Sequence, residues 1–179
     1  EKYTLPLNLK NMIKSFEGEV LTDSLSRGQL RSKIWVSDTV NDLDIDLGDM
    51  IYVCAGWYGV LPAILFERNK VDTIRSFDID ASCALPAETF NRSYAQNDWQ
   101  FKASTMDVNN LVYTGEFMYE TLKYNGDKEM ITDGAPSCVI NTSCEHIEDF
   151  DSWWKNIPKG MLVIMQNNDF DDEEGHDHA

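Results

Sequence analysis

The stretch Ile51-Tyr-Val-Cys-Ala-Gly-Trp-Tyr-Gly-Val-Leu-Pro62 constrains the fold of this chain more than any other. It begins with apolar, partly β-branched residues, passes small residues at Ala55, Gly56 and Gly59, and runs into Leu61-Pro-Ala-Ile-Leu-Phe66. The pattern predicts a strand, a tight turn and a helix. Glycine serves where the backbone approaches a ligand closely or takes a positive φ, and Pro62 suits the first turn of a helix, where its missing N–H costs nothing. Such a turn offers helix N-terminal N–H groups to a nucleotide-like ligand. In the alternative reading the glycines only permit close packing.

Further β-like and helical stretches alternate along the chain. After the helix Leu61–Arg68 come a strand at Thr73–Asp80, a helix from about Ser82 to Tyr94, and a third strand at Trp99–Ser104. A fourth strand is expected at Cys138–Thr142, then a helix at Phe150–Asn156 and a fifth strand at Met161–Met165. This alternation calls for a mostly parallel, doubly wound α/β sheet of Rossmann-like type with right-handed crossovers. Ligands in such sheets bind outside the carboxyl ends of the strands. Trp57, Asp78, Asp107 and Asn141–His146 all fall at those ends.

Asp78 lies about twenty residues beyond the glycine turn, at the tip of the second strand, where an acid can accept hydrogen bonds from two ribose hydroxyls. Asp80 fits the start of the following helix better. Ahead of the glycine turn, Ser24 or Ser26 can cap a helix carrying Leu30, Ile34, Val36 and Val40 and ending near 42–48. Within it, either Lys33 or Trp35 reaches over the ligand crevice, or Lys33 is solvated and Trp35 packs. Between the third and fourth strands, Asn125-Gly126 predicts a hairpin, against a competing helix through Tyr124. That segment either caps the crevice and shapes an acceptor pocket or decorates the surface.

The formal charge of −16 would repel a phosphate backbone, which argues against nucleic acid as a partner. Six of the acids lie in the tail 169–179, and the remainder is still acidic. No apolar run approaches the roughly 18 residues of a membrane span, and the N-terminus carries no signal-like apolar block, so the expected location is the cytoplasm. Cys54, Cys83, Cys138 and Cys144 form no CxxC pair and read as buried reduced thiols. His176 and His178 can bind a stray metal in the tail, but no specific metal site is expected. The whole reads as one domain over 1–168, with a helical lead-in at 1–48 and an insertion at 113–136, followed by the acidic tail.

The glycine turn at Ala55–Gly59, the acids Asp78 and Asp107, and the polar turn Asn141–His146 together resemble the class I S-adenosylmethionine-dependent methyltransferases. The likeness is greatest to small bacterial and phage-type members with a Gly-Trp-x-Gly-like turn and an Asn-Thr-Ser-Cys-Glu-His segment, and covers roughly Lys33 to Phe170. The resemblance implies S-adenosylmethionine as cofactor and a small molecule or protein as methyl acceptor. It places Ala55, Gly56, Trp57 and Gly59 beside the methionine part, Asp78 on the ribose, and Met106 with Asp107 around the adenine. Glu145 and His146 are then the candidate proton acceptors, with Asn141 or Thr142 orienting the acceptor molecule, and Cys144 reads as a packed thiol.

The sequence also departs from that family. The alternate positions that are usually glycine are Ala55, Trp57 and Gly59, and Val53 stands where an acid usually stands. Trp57 and Tyr58 present aromatic faces that attract a sulfonium; alternatively Trp57 is a core wedge under the helix. The chain as given has no room after the fifth strand for the usual antiparallel strand pair, so that strand is expected to be an open edge capable of self-association. A nicotinamide- or nucleotide-binding Rossmann protein and a non-catalytic binding module of the same fold are the competing readings.

Overall fold

The computed structural model describes residues 26–96 and 98–167. The tail with His176 and His178 and all of the lead-in before Ser26, the alternative cap Ser24 included, lie outside the described residues.

Helix α1 spans Arg27–Asp42, and Ser26 is its cap, its Oγ accepting the Gln29 N–H at 3.4 Å. Lys33, Val36, Ser37 and Val40 form the buried face, the i, i+3, i+4, i+7 set of an amphipathic helix. Trp35 lies two residues from Lys33, about 200° round the helix, and is 62% exposed. The reading with a solvated lysine and a packing tryptophan is therefore inverted.

Strand β1 (Met50–Cys54) leads through the glycine turn to α2 (Val60–Arg68), and β2 (Thr73–Asp78) leads to α3 (Ala84–Phe90) and the single turn α4 (Arg92–Ala95). The helix expected across Ser82–Tyr94 is broken at Asn91. That fully buried side chain donates from Nδ2 to both the Gly59 and Ala87 carbonyls. Local side-chain bonding of this kind competes with a continuous helix. Next come β3 (Phe101–Thr105), the hairpin strands β4 (Phe117–Leu122) and β5 (Lys128–Asp133), β6 (Cys138–Asn141), α5 (Phe150–Asn156) and β7 (Leu162–Met165).

The five-stranded sheet has the order β3-β2-β1-β6-β7 with every neighbouring pair parallel. This is the expected Rossmann-like doubly wound sheet. Side chains alternate across it with period two. Ile51 and Val53 join Val36, Val40, Leu61 and Leu65 on the face covered by α1 and α2. Tyr52 and Cys54 join Phe77, Tyr113, Tyr119 and Trp153 on the other.

The hairpin forms as Asn125-Gly126 predicts, with Gly126 at φ +88° and antiparallel register from Phe117↔Asp133 to Leu122↔Lys128. It covers the second face of the sheet, and none of its residues reaches the crevice at the strand ends. The reason is polar. β2 and β3 turn Arg75 and Lys102 toward this face, and buried cations need partners. Asp133 on β5 takes Arg75 Nε at 3.0 Å and the Tyr119 hydroxyl at 2.6 Å. Lys102 donates to the Leu122 carbonyl and pairs with Glu88 at 2.6 Å. Glu88 also accepts the outward Ala103 N–H of edge strand β3 at 3.2 Å. At the opposite end of the sheet, β7 has β6 as its sole strand partner among the described residues. No described helix is long and apolar enough to cross a membrane.

All four cysteines are free thiols. Burial pushes the Cys54 and Cys138 thiols up to about 12.

Candidate functional site: a cleft at the carboxyl ends of the strands

The turn after β1 carries most of the local constraint. Ala55, Trp57 and Gly59 all take left-handed backbone, at φ +52°, +49° and +75°. These are the alternate positions marked in the sequence, so the turn keeps its backbone path although two of the three residues are not glycine. A left-handed non-glycine costs roughly 1–2 kcal/mol. The two glycines answer to the protein's own packing. A Cβ on Gly56 would sit 1.9 Å from Ser76 Oγ, and one on Gly59 would sit 2.6 Å from Asn91 Nδ2.

Asp78, the last residue of β2, clamps this turn. Its Oδ2 accepts the Trp57 N–H at 3.0 Å and its Oδ1 accepts the Asp80 N–H at 3.0 Å. The Asp78 carbonyl accepts the Met106 N–H at 2.9 Å, which ties the loop after β3 to the same point. Asp80 turns away to Ser82, whose N–H and hydroxyl it accepts at 2.8 and 2.7 Å. Those bonds hold the Asp80 carboxyl below its ordinary range. Asp107 accepts the Asn109 N–H at 2.9 Å and caps the short 3-10 turn Val108–Asn110.

These loops border a cleft of about 500 Å³. Among the residues singled out in the sequence, Ala55, Gly56, Trp57, Asp78, Asp107, Glu145 and His146 line it. Gly59, Met106 and Asn141 stand behind the lining. Gly59 is the buried N-cap of α2, packed against Ala87 and Asn91, and Met106 packs into the core beneath the hairpin. Asn141 is fully buried, with Oδ1 accepting the Ser143 N–H at 3.0 Å, so it shapes the turn after β6 from within. Trp57 is half-buried on the cleft wall and stacks on Tyr58 with ring centroids 5.3 Å apart, which excludes the core-wedge arrangement.

After β6 the chain makes a 3-10 turn, Cys144–His146. His146 Nε2 lies 3.5 Å from Glu145 Oε1, and both residues line the cleft. Cys144 Sγ donates to the Asn141 carbonyl at 3.4 Å, and burial raises its thiol above the ordinary range, which disfavours a thiolate nucleophile. Asp149 caps α5 by accepting the Ser152 N–H, leaving Glu145 and His146 outside that helix.

Sequence reasoning did not single out Gln166, which lines the cleft and donates from Nε2 to the Ser32 carbonyl of α1 at 3.1 Å. Its only signal was its position just past the carboxyl end of a strand. Ile79, Val108 and Ile147 add apolar wall, each next to or near an acid or histidine that had drawn attention to the loop. Among the described residues no cluster of three or more His, Cys, Asp or Glu is placed to hold a metal.

No family model and no curated protein matches the sequence. Solved structures do match the fold. A candidate S-adenosyl-L-methionine-dependent methyltransferase from Methanococcus maripaludis has a TM-score of 0.55 at 16% identity over 92% of this chain. Magnesium protoporphyrin IX methyltransferase from Synechocystis PCC 6803 has a TM-score of 0.57 with bound S-adenosylmethionine and 0.56 with bound S-adenosylhomocysteine. Its identity to this chain is 10% and 11%, over 93% and 91% of the chain. Geranyl diphosphate C-methyltransferase from Streptomyces coelicolor A3(2) has a TM-score of 0.51 at 10% identity over 75% of the chain. The chain spans 64% of the Methanococcus protein, 77% and 68% of the two Synechocystis chains and 43% of the Streptomyces protein. The fold is that of the class I S-adenosylmethionine-dependent methyltransferases.

Proposed function

We propose that this chain binds S-adenosylmethionine in the cleft and transfers its methyl group to a small-molecule or protein acceptor. The observation that supports this most is the state of Asp78. A carboxylate has about four acceptor positions, and here two are filled by the Trp57 and Asp80 N–H groups. The Cys83 thiol also interacts with this carboxylate, and the acceptor capacity left on an acid at the rim of the cleft suits the hydroxyls of a ribose. Ala55, Gly56 and Trp57 would flank the methionine part, and Asp107 with Val108 would flank the adenine.

S-adenosylmethionine supplies an electrophilic methyl group on a sulfonium. The chain's own contribution is largely to hold the acceptor in line with it, since proximity and orientation supply most of the rate in such a displacement. The face of Trp57 attracts a sulfonium by about 0.5–2 kcal/mol. Glu145 and His146 are the pair able to take a proton from the acceptor. The charge of −16 disfavours a nucleic-acid acceptor.

The test is a calorimetric panel of S-adenosylmethionine, S-adenosylhomocysteine, NAD and ATP. The first two should bind and the others should not. Asp78→Ala should weaken S-adenosylhomocysteine roughly 10- to 100-fold, the scale of hydrogen bonds to a charged group. Asp80→Ala should have much less effect, because Asp80 is engaged with Ser82. Preference for NAD or ATP, or an Asp78→Ala variant that folds and binds normally, overturns the reading.

A further inference from the structure

The buried cations of this fold are treated unequally. Arg75 and Lys102 each meet a carboxylate, at 3.0 and 2.6 Å. Lys33 on α1 is only 8% exposed, yet none of the ion pairs among the described residues includes it. Its Nζ donates to Gln29 Oε1 at 2.9 Å, a neutral partner one turn back on the same helix. An ammonium carries three donors, so this leaves capacity for an anion. Burial without a counter-charge depresses the lysine below its ordinary range.

Lys33 is not sealed in the core. It lines the cleft together with Gln29, Ser32, Val53 and Leu61. Val53 shares a core cluster with Val36, the residue one turn on from Lys33, and the other side chains of this wall are neutral, apolar at Val53 and Leu61 and polar at Gln29 and Ser32. The acids of the cleft, Asp78, Asp107, Glu145 and Glu148, stand at the end of β2 and on the loops after β3 and β6, and none stands on β1 or α1. A buried cation that lines the cleft, held by a neutral amide with no acid on its own wall, is complementary to a compact anion carried by the ligand.

We propose that Lys33 is the cleft's receptor for a carboxylate, the one at the amino-acid end of an S-adenosylmethionine-type ligand, and that the neighbouring amino group contributes little to affinity. The proposal rests on the cofactor assignment above and adds which part of that end is recognised. Val53 cannot pair with an ammonium, and the proposed function commits the acceptor capacity left on Asp78 to the ribose.

The experiment titrates the full chain, without acceptor, with S-adenosylhomocysteine, its deaminated analogue, its decarboxylated analogue and methylthioadenosine. The deaminated compound should bind within about 3-fold of S-adenosylhomocysteine, and the two compounds lacking the carboxylate should bind at least about 10-fold more weakly. Lys33→Met should abolish that difference and Lys33→Arg should retain it. A thermal unfolding curve for each variant checks that it is folded, and methionine's similar length and apolar character favour a stable Lys33→Met protein. A decarboxylated analogue that binds the wild type as tightly as S-adenosylhomocysteine overturns the proposal, as does a Lys33→Met protein that keeps the full preference. In either case the cofactor assignment stands, because nucleoside binding is still seen. If none of the four compounds binds the wild type, the cofactor assignment fails and this proposal falls with it. No acceptor is present, so a Lys33-dependent preference belongs to the nucleoside's own carboxylate and not to one on a methyl acceptor.

Discussion

The two walls of the cleft are built on different principles. On the wall formed by the loops after β1, β2 and β3, backbone hydrogen bonds set the geometry. Trp57 and Asp80 donate to Asp78, Met106 donates to the Asp78 carbonyl, Gly56 donates to the Phe77 carbonyl, and Asn109 donates to Asp107. On the wall formed by α1, the turn after β6 and the residue after β7, side-chain contacts set the geometry: Lys33 to Gln29, His146 to Glu145, Gln166 to the Ser32 carbonyl. On the proposed function, the first wall is a receptor whose hydrogen bonds are already made before ligand arrives. The second carries the cation and the titratable pair that the proposed function uses. Changes on the first wall should therefore appear in affinity and stability together, and changes on the second in selectivity, turnover and pH dependence.

The largest expected effect lies on the second wall. Glu145→Gln and His146→Asn, made separately, should leave nucleoside affinity within a few-fold while lowering methyl transfer by something like 10²-fold or more, the usual scale for loss of a general base. Single-turnover assays beside calorimetry separate the two. Normal turnover in both variants would make this turn scaffolding and erase the functional half of the comparison.

A second effect concerns Lys33 and pH. Its folded pKa is lowered from 10.5, so between that lowered value and 10.5 the unfolded chain binds more protons than the folded one. Stability attributable to this residue must then rise with pH across the window and stay at its reduced level below it. Urea unfolding of wild type and Lys33→Met from pH 7 to 10.5 should show the gap between them narrowing as pH rises. The difference between the two proteins is the informative quantity, because the buried tyrosines titrate upward in both. A gap independent of pH would mean that Lys33 is as well solvated as an ordinary surface lysine.

The smallest effect tests the first wall. Ala55→Gly relieves a left-handed residue at φ +52°, gaining roughly 1–2 kcal/mol, against a glycine entropy cost of roughly 0.5–1 kcal/mol. The net expectation is a stabilisation of about 0.5–1 kcal/mol by urea unfolding, with nucleoside affinity unchanged. Destabilisation would show that the alanine methyl packs more favourably than the strain costs. Trp57→Gly relieves similar strain at φ +49° but also removes the stack on Tyr58, so it reads both terms at once.

The sequence by itself determined the features whose causes are local. The strand, turn and helix at Ile51–Arg68 follow from apolar run, small residues and Pro62. The hairpin follows from Asn125-Gly126, and the parallel sheet from alternating periodicities. The acids Asp78 and Asp107 were legible because strand ends place them at the crevice, as were Glu145 and His146. Tertiary structure alone decided what depends on partners distant in the chain. The phase of α1 puts Lys33 inside and Trp35 outside, because the helix must bury Val36 and Val40 against Val53 and Leu61. The break at Asn91 exists because its amide reaches back to the Gly59 carbonyl. The hairpin covers the sheet and leaves the cleft open, because Arg75 needs Asp133, 58 residues away in sequence. No window of neighbouring residues contains such pairings, since burial and charge compensation are properties of the assembled layers rather than of any single segment.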